Sequence, residues 1–193
     1  MKKGGNGRAR IGVLALQGAF EAHQAAFERA GAKAVPVRAA AELEGLEALV
    51  IPGGESTTML KIAGDEGLLE PLRRFGRERP VFGTCAGAIL LAAEVTNPRQ
   101  ESLGLMDISV ERNAYGRQVD SRVARIELCG EEAEAVFIRA PRIFRVGEGV
   151  KVLARFGGDP VLVTQGRHMA ATFHPELSAD ARIHRMFLDT LES

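Results

Sequence analysis

The sequence has few cysteines, and their spacing excludes several kinds of site. Among 193 residues there are only two, Cys85 and Cys129. They form neither a Cys-x-x-Cys pair nor another spacing typical of metal ligands, which argues against a structural metal site. So low a cysteine content fits a protein of the reducing cytoplasm.

The sequence also lacks an excess of charge and a long apolar run. Lys and Arg total 25, and Asp and Glu total 25. This balance argues against a nucleic acid or an anionic membrane as the main partner. No stretch approaches the roughly 20 apolar residues that cross a bilayer, so we expect a soluble protein.

The first ten residues are basic and glycine-rich, and the pattern becomes regular only after them. We expect a flexible N-terminal tail at 1–10 and a single domain at 11–193, because this length is enough for one well-buried core.

Apolar runs alternate with helical spacing in the first half of the chain. Strands are predicted at 11–16, 34–37, 48–51 and 80–83, and helices at 19–30, 57–76 and 86–95, the second interrupted near Gly64 and Gly67. Near-continuous apolar strands that alternate with helices indicate a three-layer α/β fold with a mostly parallel sheet flanked by helices. Sites in such folds lie at the carboxyl ends of the strands.

The second half is richer in short β-type runs. They occupy 105–110, 121–128, 135–138, 151–156, 161–164 and 169–173, and an amphipathic helix at 179–191 follows them. We expect these runs to extend the sheet in antiparallel fashion.

A cysteine stands in the middle of a predicted strand-to-helix turn. Residues 83–87 read Gly-Thr-Cys-Ala-Gly, the form of a nucleophile elbow with sulfur in place of hydroxyl. Gly83 and Gly87 let so sharp a turn close. Cys85 then lies at a helix N terminus, where free N–H groups and the helix dipole favour a thiolate. Cys85 is therefore the candidate nucleophile.

A cysteine nucleophile needs a base, and one histidine ends a predicted strand at a motif. His174 is followed by Pro175 and Glu176. The proline favours an extended backbone, in which side chains two residues apart point to the same side. Glu176 can then orient the imidazole, as an aspartate does in serine hydrolases.

The other three histidines fit the role less well. His168 lies six residues before His174, roughly 20 Å away at strand rise, so it cannot serve the same thiol. His23 and His184 fall in helical segments, and we expect them to be structural or exposed.

A glycine pair ends the predicted strand at 48–51. Residues 52–56 read Pro-Gly-Gly-Glu-Ser, which suits backbone N–H groups that face an anionic oxygen. An oxyanion hole is one interpretation. A phosphate loop is another, although the Gly-Lys-Ser/Thr ending of that motif is missing, and an ordinary βα turn is a third.

Together these motifs resemble a known family. Segments 52–56, 83–87 and 174–176, in this order and spacing, resemble those of the class I (triad) glutamine amidotransferases, which have a flavodoxin-like fold. Segments 16–19, 53–59, 110–120 and 137–141 are similar to those of the glutaminase subunits of pyridoxal 5′-phosphate synthase. The resemblance runs from about residue 11 to the C terminus, and 112–120 is its most specific part.

The resemblance implies a glutaminase that works with a partner. Cys85, His174 and Glu176 would release ammonia from L-glutamine, and a PdxS-type (β/α)8 synthase subunit would join it to ribose 5-phosphate and glyceraldehyde 3-phosphate. Relatives assemble as twelve glutaminase subunits around a dodecameric synthase. No metal or organic cofactor is implied.

The same resemblance assigns the residues that surround the substrate. Glutamine would be bound by Gly53, Gly54, Glu55, Ser56, Arg112, Ile138 and Arg139, and the oxyanion by N–H groups near Gly54 and Ala86. Guanidinium groups suit this substrate because they bind an α-carboxylate through paired hydrogen bonds.

Other functions remain open at this point. A γ-glutamyl hydrolase, or another cysteine α/β hydrolase such as a peptidase or deglycase, could use the same elbow, although segment 112–120 counts against both. A non-catalytic regulatory subunit would keep the fold, but the intact Cys85, His174 and Glu176 argue against it.

Overall fold

The computed structural model describes residues 9–114 and 121–192. Nearly all of the expected tail at 1–10, and 115–120 of the family-specific segment, lie outside the described residues. Within the described ranges there are five α-helices and twelve β-strands. None of these helices is long and apolar enough to cross a membrane.

The bounds of the elements follow. The helices are α1 (Phe20–Ala30), α2 (Ser56–Asp65), α3 (Leu69–Glu78), α4 (Ala86–Leu91) and α5 (Arg182–Asp189). The strands are β1 (Arg10–Leu14), β2 (Lys33–Val37), β3 (Ala48–Ile51), β4 (Val81–Thr84), β5 (Ala92–Thr96), β6 (Met106–Glu111), β7 (Arg122–Leu128), β8 (Glu131–Phe137), β9 (Arg142–Val146), β10 (Val150–Phe156), β11 (Asp159–Gln165) and β12 (His168–Ala171).

The main sheet has seven strands in the order β10-β11-β12-β4-β3-β1-β2. The five strands from β12 to β2 are parallel, and β11 and β10 join them in antiparallel fashion. The prediction of a mostly parallel sheet with an antiparallel extension is therefore confirmed. The parallel strands β3, β4 and β12 lie side by side, so the segments that follow them meet at one edge.

Both faces of this sheet are covered, because side chains of a strand alternate between its faces. In β3, Val50 belongs to one buried cluster, while Leu49 and Ile51 belong to the other. The first cluster includes side chains of α1 and α5, and the second includes side chains of α2, α3 and α4. The result is the three-layer arrangement expected from the sequence.

Some predicted boundaries differ from the structure. The predicted helix 86–95 is wrong after Leu91, because 92–96 forms β5; a short apolar run does not distinguish helix from strand by periodicity. The predicted helix 57–76 is two helices, separated near Gly67, whose φ of 64° ends α2. The last helix is shorter than 179–191.

Two small sheets stand apart from the main one. Strands β5, β6 and β9 form a three-stranded sheet, and β7 pairs with β8 as a hairpin. From the sequence, β6, β7 and β8 were predicted as part of the antiparallel extension, whereas neither β5 nor β9 was predicted as a strand. They pair locally instead, and only β10 and β11 extend the main sheet.

Candidate active site

Cys85 occupies a sharp turn between β4 and α4. Its backbone has a positive φ of 48° with a ψ of −104°, which L-residues rarely adopt. A Cβ on Gly87 would lie 1.9 Å from the carbonyl oxygen of Ile51, and one on Gly83 would lie 2.5 Å from the carbonyl carbon of Gly87. Glycine is therefore required at both positions for the turn to close against β3.

Hydrogen bonds hold this turn in place. The Cys85 N–H donates to the carbonyl of Ala171 at the end of β12, over 2.8 Å. The sulfur is buried and lies 3.8 Å from the carbonyl oxygen of Ile138. Ala86 is the first residue of α4, so the helix itself offers its N–H no acceptor.

His174 and Glu176 follow β12 and reach the same place. The His174 N–H donates to the carbonyl of Val136 in β8, over 2.8 Å. Its ring Nδ1 lies 2.8 Å from Glu176 Oε1. The expectation of an extended backbone here is wrong: Pro175–Leu177 forms a 3₁₀ turn, because proline also suits the first position of a helical turn. The two side chains meet nonetheless.

Neighbouring groups stabilise the protonated form of His174. Burial by itself lowers its pKa, but hydrogen bonds and charge interactions with Cys85 and Glu176 outweigh burial and raise that pKa to about 10. Burial would raise the pKa of Glu176, whereas His23 and His174 lower it, and the lowering prevails. At neutral pH the site therefore holds an ionised carboxylate against a protonated imidazole, which in turn hydrogen-bonds the sulfur of Cys85.

A pocket of about 250 Å³ opens over the thiol. Such a volume suits a small substrate, since it lies just under the range of about 300–1,000 Å³ typical of ligand sites. The pocket is lined by Gln17, Gly54, Glu55, Ser56, Cys85, Ala86, Ile89, Arg112, Asn113, Ile138, Arg139 and His174. Nearly all the residues expected at the site are thus brought together. Gln17, Ile89 and Asn113 were not predicted as site residues.

Gly53 takes a different place from the one expected. It is not among the residues that line the pocket. A Cβ there would lie 2.3 Å from Cε1 of His174, so Gly53 packs against the imidazole ring. Its carbonyl accepts a hydrogen bond from the N–H of Ala19 over 3.3 Å. The structure therefore puts Gly53 behind the imidazole of His174, and its contact with a substrate stays a prediction.

Arg112 is held at the wall of the pocket. Its Nη2 donates to Thr57 Oγ1 over 2.8 Å and to Glu55 Oε1 over 3.2 Å. The Glu55 carboxylate also accepts from the N–H groups of Thr57 and Thr58 and so caps α2. Nε of Arg112 is buried and has no hydrogen-bond partner among the described residues.

One neighbour of the triad, His23, was not predicted from the sequence as part of the site. His23 lies in the core, with Nε2 3.3 Å from Glu176 Oε2. The signal for this position was present: in the helical pattern of α1, His23 shares the buried face with Ala26 and Phe27. Of the remaining expectations, His184 is also buried, and Cys129 is exposed at the β7–β8 turn.

Comparisons with known proteins agree on the kind of protein. A family model described as the SNO glutamine amidotransferase family matches residues 13–193. A curated relative, "Pyridoxal 5′-phosphate synthase subunit PdxT" of Solibacter usitatus, is 58% identical over 190 residues, which cover 94% of this chain and 99% of the relative. The protein of that name from Thermus thermophilus is 53% identical, covering 94% of this chain and 97% of the relative.

Solved structures give the same fold. One described as "Crystal structure of glutamine amidotransferase" superposes with a TM-score of 0.89 at 50% identity, covering 95% of this chain and 99% of that one. The structure of PurLQS from Thermotoga maritima superposes with a TM-score of 0.73 at 15% identity, covering 96% of this chain and 98% of the matched one. The latter likeness concerns the fold alone.

Proposed function

The chain belongs to the SNO glutamine amidotransferase family, and on this basis we propose that it is the glutaminase subunit of pyridoxal 5′-phosphate synthase. It hydrolyses L-glutamine to L-glutamate and ammonia, and it delivers the ammonia to a synthase subunit for vitamin B6 biosynthesis. Two relatives named PdxT, each 58% identical over nearly the whole chain, support this function. One observation carries the chemistry: Cys85, His174 and Glu176 meet beside a small pocket.

The reaction begins with the cysteine. The Cys85 thiolate attacks the side-chain amide carbon of glutamine, and the carbonyl oxygen becomes an oxyanion. N–H groups near Gly54 and Ala86 stabilise that charge. His174 gives its proton to the amide nitrogen, the carbon–nitrogen bond breaks, and ammonia leaves behind a thioester on Cys85.

Water completes the turnover. Neutral His174 takes a proton from water, and the resulting hydroxide attacks the thioester carbon. The carbon–sulfur bond breaks, which releases glutamate and restores the thiolate beside the protonated imidazole. Glu176 holds Nδ1 of His174 throughout, over 2.8 Å, and so keeps Nε2 directed toward the sulfur.

The remaining walls of the pocket support glutamine as the substrate. We propose that Glu55, Ser56, Ile138 and Arg139 bind it together with Gly54, and that Arg112 binds its α-carboxylate. The place of Arg112 in the lining of the pocket supports the last assignment, because a guanidinium forms strong, charge-assisted hydrogen bonds with a carboxylate. Gly53 contributes by leaving space for the imidazole ring.

The proposal also includes the extent of the domain, the partner subunit, the stoichiometry of the complex and its compartment. We propose that 11–193 is one glutaminase domain, which the match of the family model to 13–193 supports. The partner is a PdxS-type (β/α)8 synthase subunit, twelve copies of each subunit form the complex, and the complex works in the cytoplasm. Size measurement of the co-purified complex tests the twelve-to-twelve stoichiometry.

The partner can control the loop at 53–55, which carries the oxyanion donor near Gly54, through the turn at 17–19. Residues 17–19 hold this loop on both sides of Gly54: Ala19 donates to Gly53, and the Glu55 N–H donates to Gln17 Oε1 over 2.7 Å. A synthase surface that presses on the turn would reorient the peptide at Gly54. Since one oxyanion donor contributes on the order of 10²- to 10³-fold in rate, activation by the partner should not exceed about that factor.

Steady-state glutamate production, measured with and without the synthase subunit of the same organism, tests the proposal. We expect glutamine turnover that increases when the synthase is added. A γ-glutamyl hydrolase would instead cleave γ-glutamyl peptides without the synthase, and a regulatory subunit would show no turnover with either substrate. Each of these two results would contradict the proposed function.

A further inference from the structure

Two histidines lie behind the triad in the apolar core. His23 on α1 and His184 on α5 are fully buried. Aromatic rings surround them: the His184 ring packs edge-on against Phe27, with centroids 4.8 Å apart, and lies 6.2 Å from Phe82. Burial of polar groups among such neighbours is costly unless they are hydrogen-bonded, so these side chains need an explanation.

His23 contacts both the strand that leads to Cys85 and the carboxylate of Glu176. Its Nε2 lies 3.0 Å from Oγ1 of Thr84, the residue before the nucleophile, and 3.3 Å from Oε2 of Glu176. Its Nδ1 lies 3.2 Å from Nε2 of His184. Oε2 of Glu176 has no hydrogen-bond partner among the described residues, so the 3.3 Å contact is electrostatic and not an aligned hydrogen bond.

The proton on His23 can be assigned from its neighbours. A lone pair on Nε2 would face the carboxylate and be repelled, so Nε2 carries the proton and donates to Thr84. Burial lowers the pKa of His23 and outweighs the charge of Glu176, which raises it, and the charge of His174 lowers it further. The ring is therefore neutral and Nδ1 is an acceptor.

His184 completes this assignment. It must donate its Nε2–H to Nδ1 of His23, which leaves its own Nδ1 as a bare lone pair. That atom is buried and has no partner among the described residues, as this tautomer allows. The opposite assignment would leave a buried N–H unpaired, which is the more costly arrangement.

We propose that His23 is a positioning residue of the glutaminase reaction, which fixes the Glu176 carboxylate between two imidazoles, and that His184 holds His23 in the required tautomer. The proposal rests on the proposed function, since it concerns the same triad. Glu176 Oε1 binds His174 and Oε2 faces His23. The carboxylate therefore cannot turn away from His174 without losing the N–H dipole that faces its other oxygen.

The contacts of His23 also position the turn that carries Cys85. Because Nε2 of His23 also binds Thr84, the helix α1 sets the distance between the segment that carries Cys85 and the segment that carries Glu176. Removal of this bridge should misplace His174 relative to the thiol without changing the walls that bind glutamine. The expected loss is in kcat and not in KM.

Two amide substitutions test the proposal in the complex with the synthase subunit. The Gln amide in His23→Gln reaches the place of Nε2 and can donate there, whereas the amide in His23→Asn is one methylene shorter and cannot. His168→Asn is the control, because His168 is half-buried and, like His23, hydrogen-bonded: it accepts from the N–H of Val81 but lies at the far end of β12.

We expect His23→Asn to lower kcat by about 10- to 100-fold, the size seen when the outer partner of a metal-bound histidine is removed. KM should change less than threefold by our estimate, and His23→Gln should recover most of the kcat. His168→Asn should keep the wild-type kcat even where it lowers the unfolding midpoint. An unchanged kcat in His23→Asn, or an equal loss in both His23 variants, would overturn the proposal.

A second readout does not need turnover. In a Cys129→Ser background, the rate of iodoacetamide alkylation at pH 7 reports the reactivity of Cys85 alone, and we expect it to fall in His23→Asn and to recover in His23→Gln. If His23→Asn protein does not fold, His184→Leu takes its place, with a smaller loss of kcat expected and an unchanged kcat overturning the proposal. A wild-type complex without glutaminase activity would instead overturn the proposed function, and this proposal with it.

Discussion

The two cysteines share a positive φ but have opposite surroundings. Cys85 has a φ of 48° and Cys129 a φ of 55°. Cys129 and Gly130, both with positive φ, form the two-residue turn of the β7–β8 hairpin, where this conformation matches the twist of the strands. Cys129 is exposed, whereas Cys85 is buried against β3 and β12.

This difference shows when a turn with a positive φ becomes part of a functional site. The hairpin turn is formed by one pair of strands, and a Cβ added to Gly130 would meet nothing within 4 Å. At the elbow, the carbonyl of Ile51, the carbonyl of Ala171 and the imidazole of His174 all converge on one turn. A positive φ marks a functional position here only because other segments of the chain meet it.

The largest effect is expected at Cys85 and distinguishes it from Cys129. Cys85→Ala should abolish glutamine hydrolysis, with a loss of at least about 10⁴-fold, because the attacking atom is gone. Fold and synthase binding should remain, since little volume is lost. Glutamate production and co-purification with the synthase measure both. Loss of the complex along with activity would indicate a structural cysteine.

The next prediction compares the glycines of the two turns. In Gly87→Ala the added methyl would overlap the carbonyl oxygen of Ile51, so we expect a loss of about 3 kcal/mol in the free energy of unfolding, together with loss of activity. Gly130→Ala has open space and a φ of 83°, so only backbone strain of about 1 kcal/mol is expected. Urea unfolding of both variants checks this, and equal losses would contradict the comparison.

A third prediction concerns the pH dependence that the buried His184 behind the elbow gives to stability. Burial, together with the neighbouring His23, lowers the pKa of His184 to about 3. Between pH 6.5 and about 3 the unfolded chain binds a proton on this residue that the folded chain does not. Stability therefore falls as pH falls, by roughly 1.4 kcal/mol per pH unit from this residue.

The variant His184→Leu tests that slope. The variant should lack this part of the acid sensitivity, so its unfolding free energy relative to wild type should improve between pH 6 and pH 4. Urea unfolding at several pH values measures it. Parallel pH dependences of the two proteins would show that His184 is not buried in its neutral form.

The smallest effect is expected at the exposed cysteine. Cys129→Ser should change glutaminase activity by less than about tenfold and stability by less than about 0.5 kcal/mol, as surface substitutions usually do. A Cys129→Ser chain that loses glutamine hydrolysis would mean that the hairpin turn belongs to the site after all.

The sequence predicted the fold and the motifs well because their signals are local. The alternation of strands and helices, the glycines around Cys85 and the neighbours of His174 are each contained in a few consecutive residues. The end of α4 was missed because 86–93 is one apolar run, which suits helix and strand alike. Strand β9 and the two small sheets depend on pairing partners that local patterns do not specify.

The contact of His23 shows the same limit within the site. His23 and Glu176 lie far apart in sequence, and they meet only because α1 packs across the end of β4. The helical pattern showed that His23 faces the core but not which group it would face there. Likewise, the 3₁₀ turn at Pro175–Leu177 was not foreseen, since proline suits both an extended segment and the start of a helical turn.

Covalent trapping tests most directly whether Cys85 is the nucleophile of a glutaminase. The wild-type complex with the synthase subunit is incubated with 6-diazo-5-oxo-L-norleucine, a glutamine analogue with an electrophilic carbon, and the tryptic peptides are analysed by mass spectrometry. We expect one adduct per chain on the peptide that contains Cys85, prevented by excess glutamine, with Cys129 unmodified. Labelling of Cys129 alone, or labelling of Cys85 that glutamine does not slow, would contradict it.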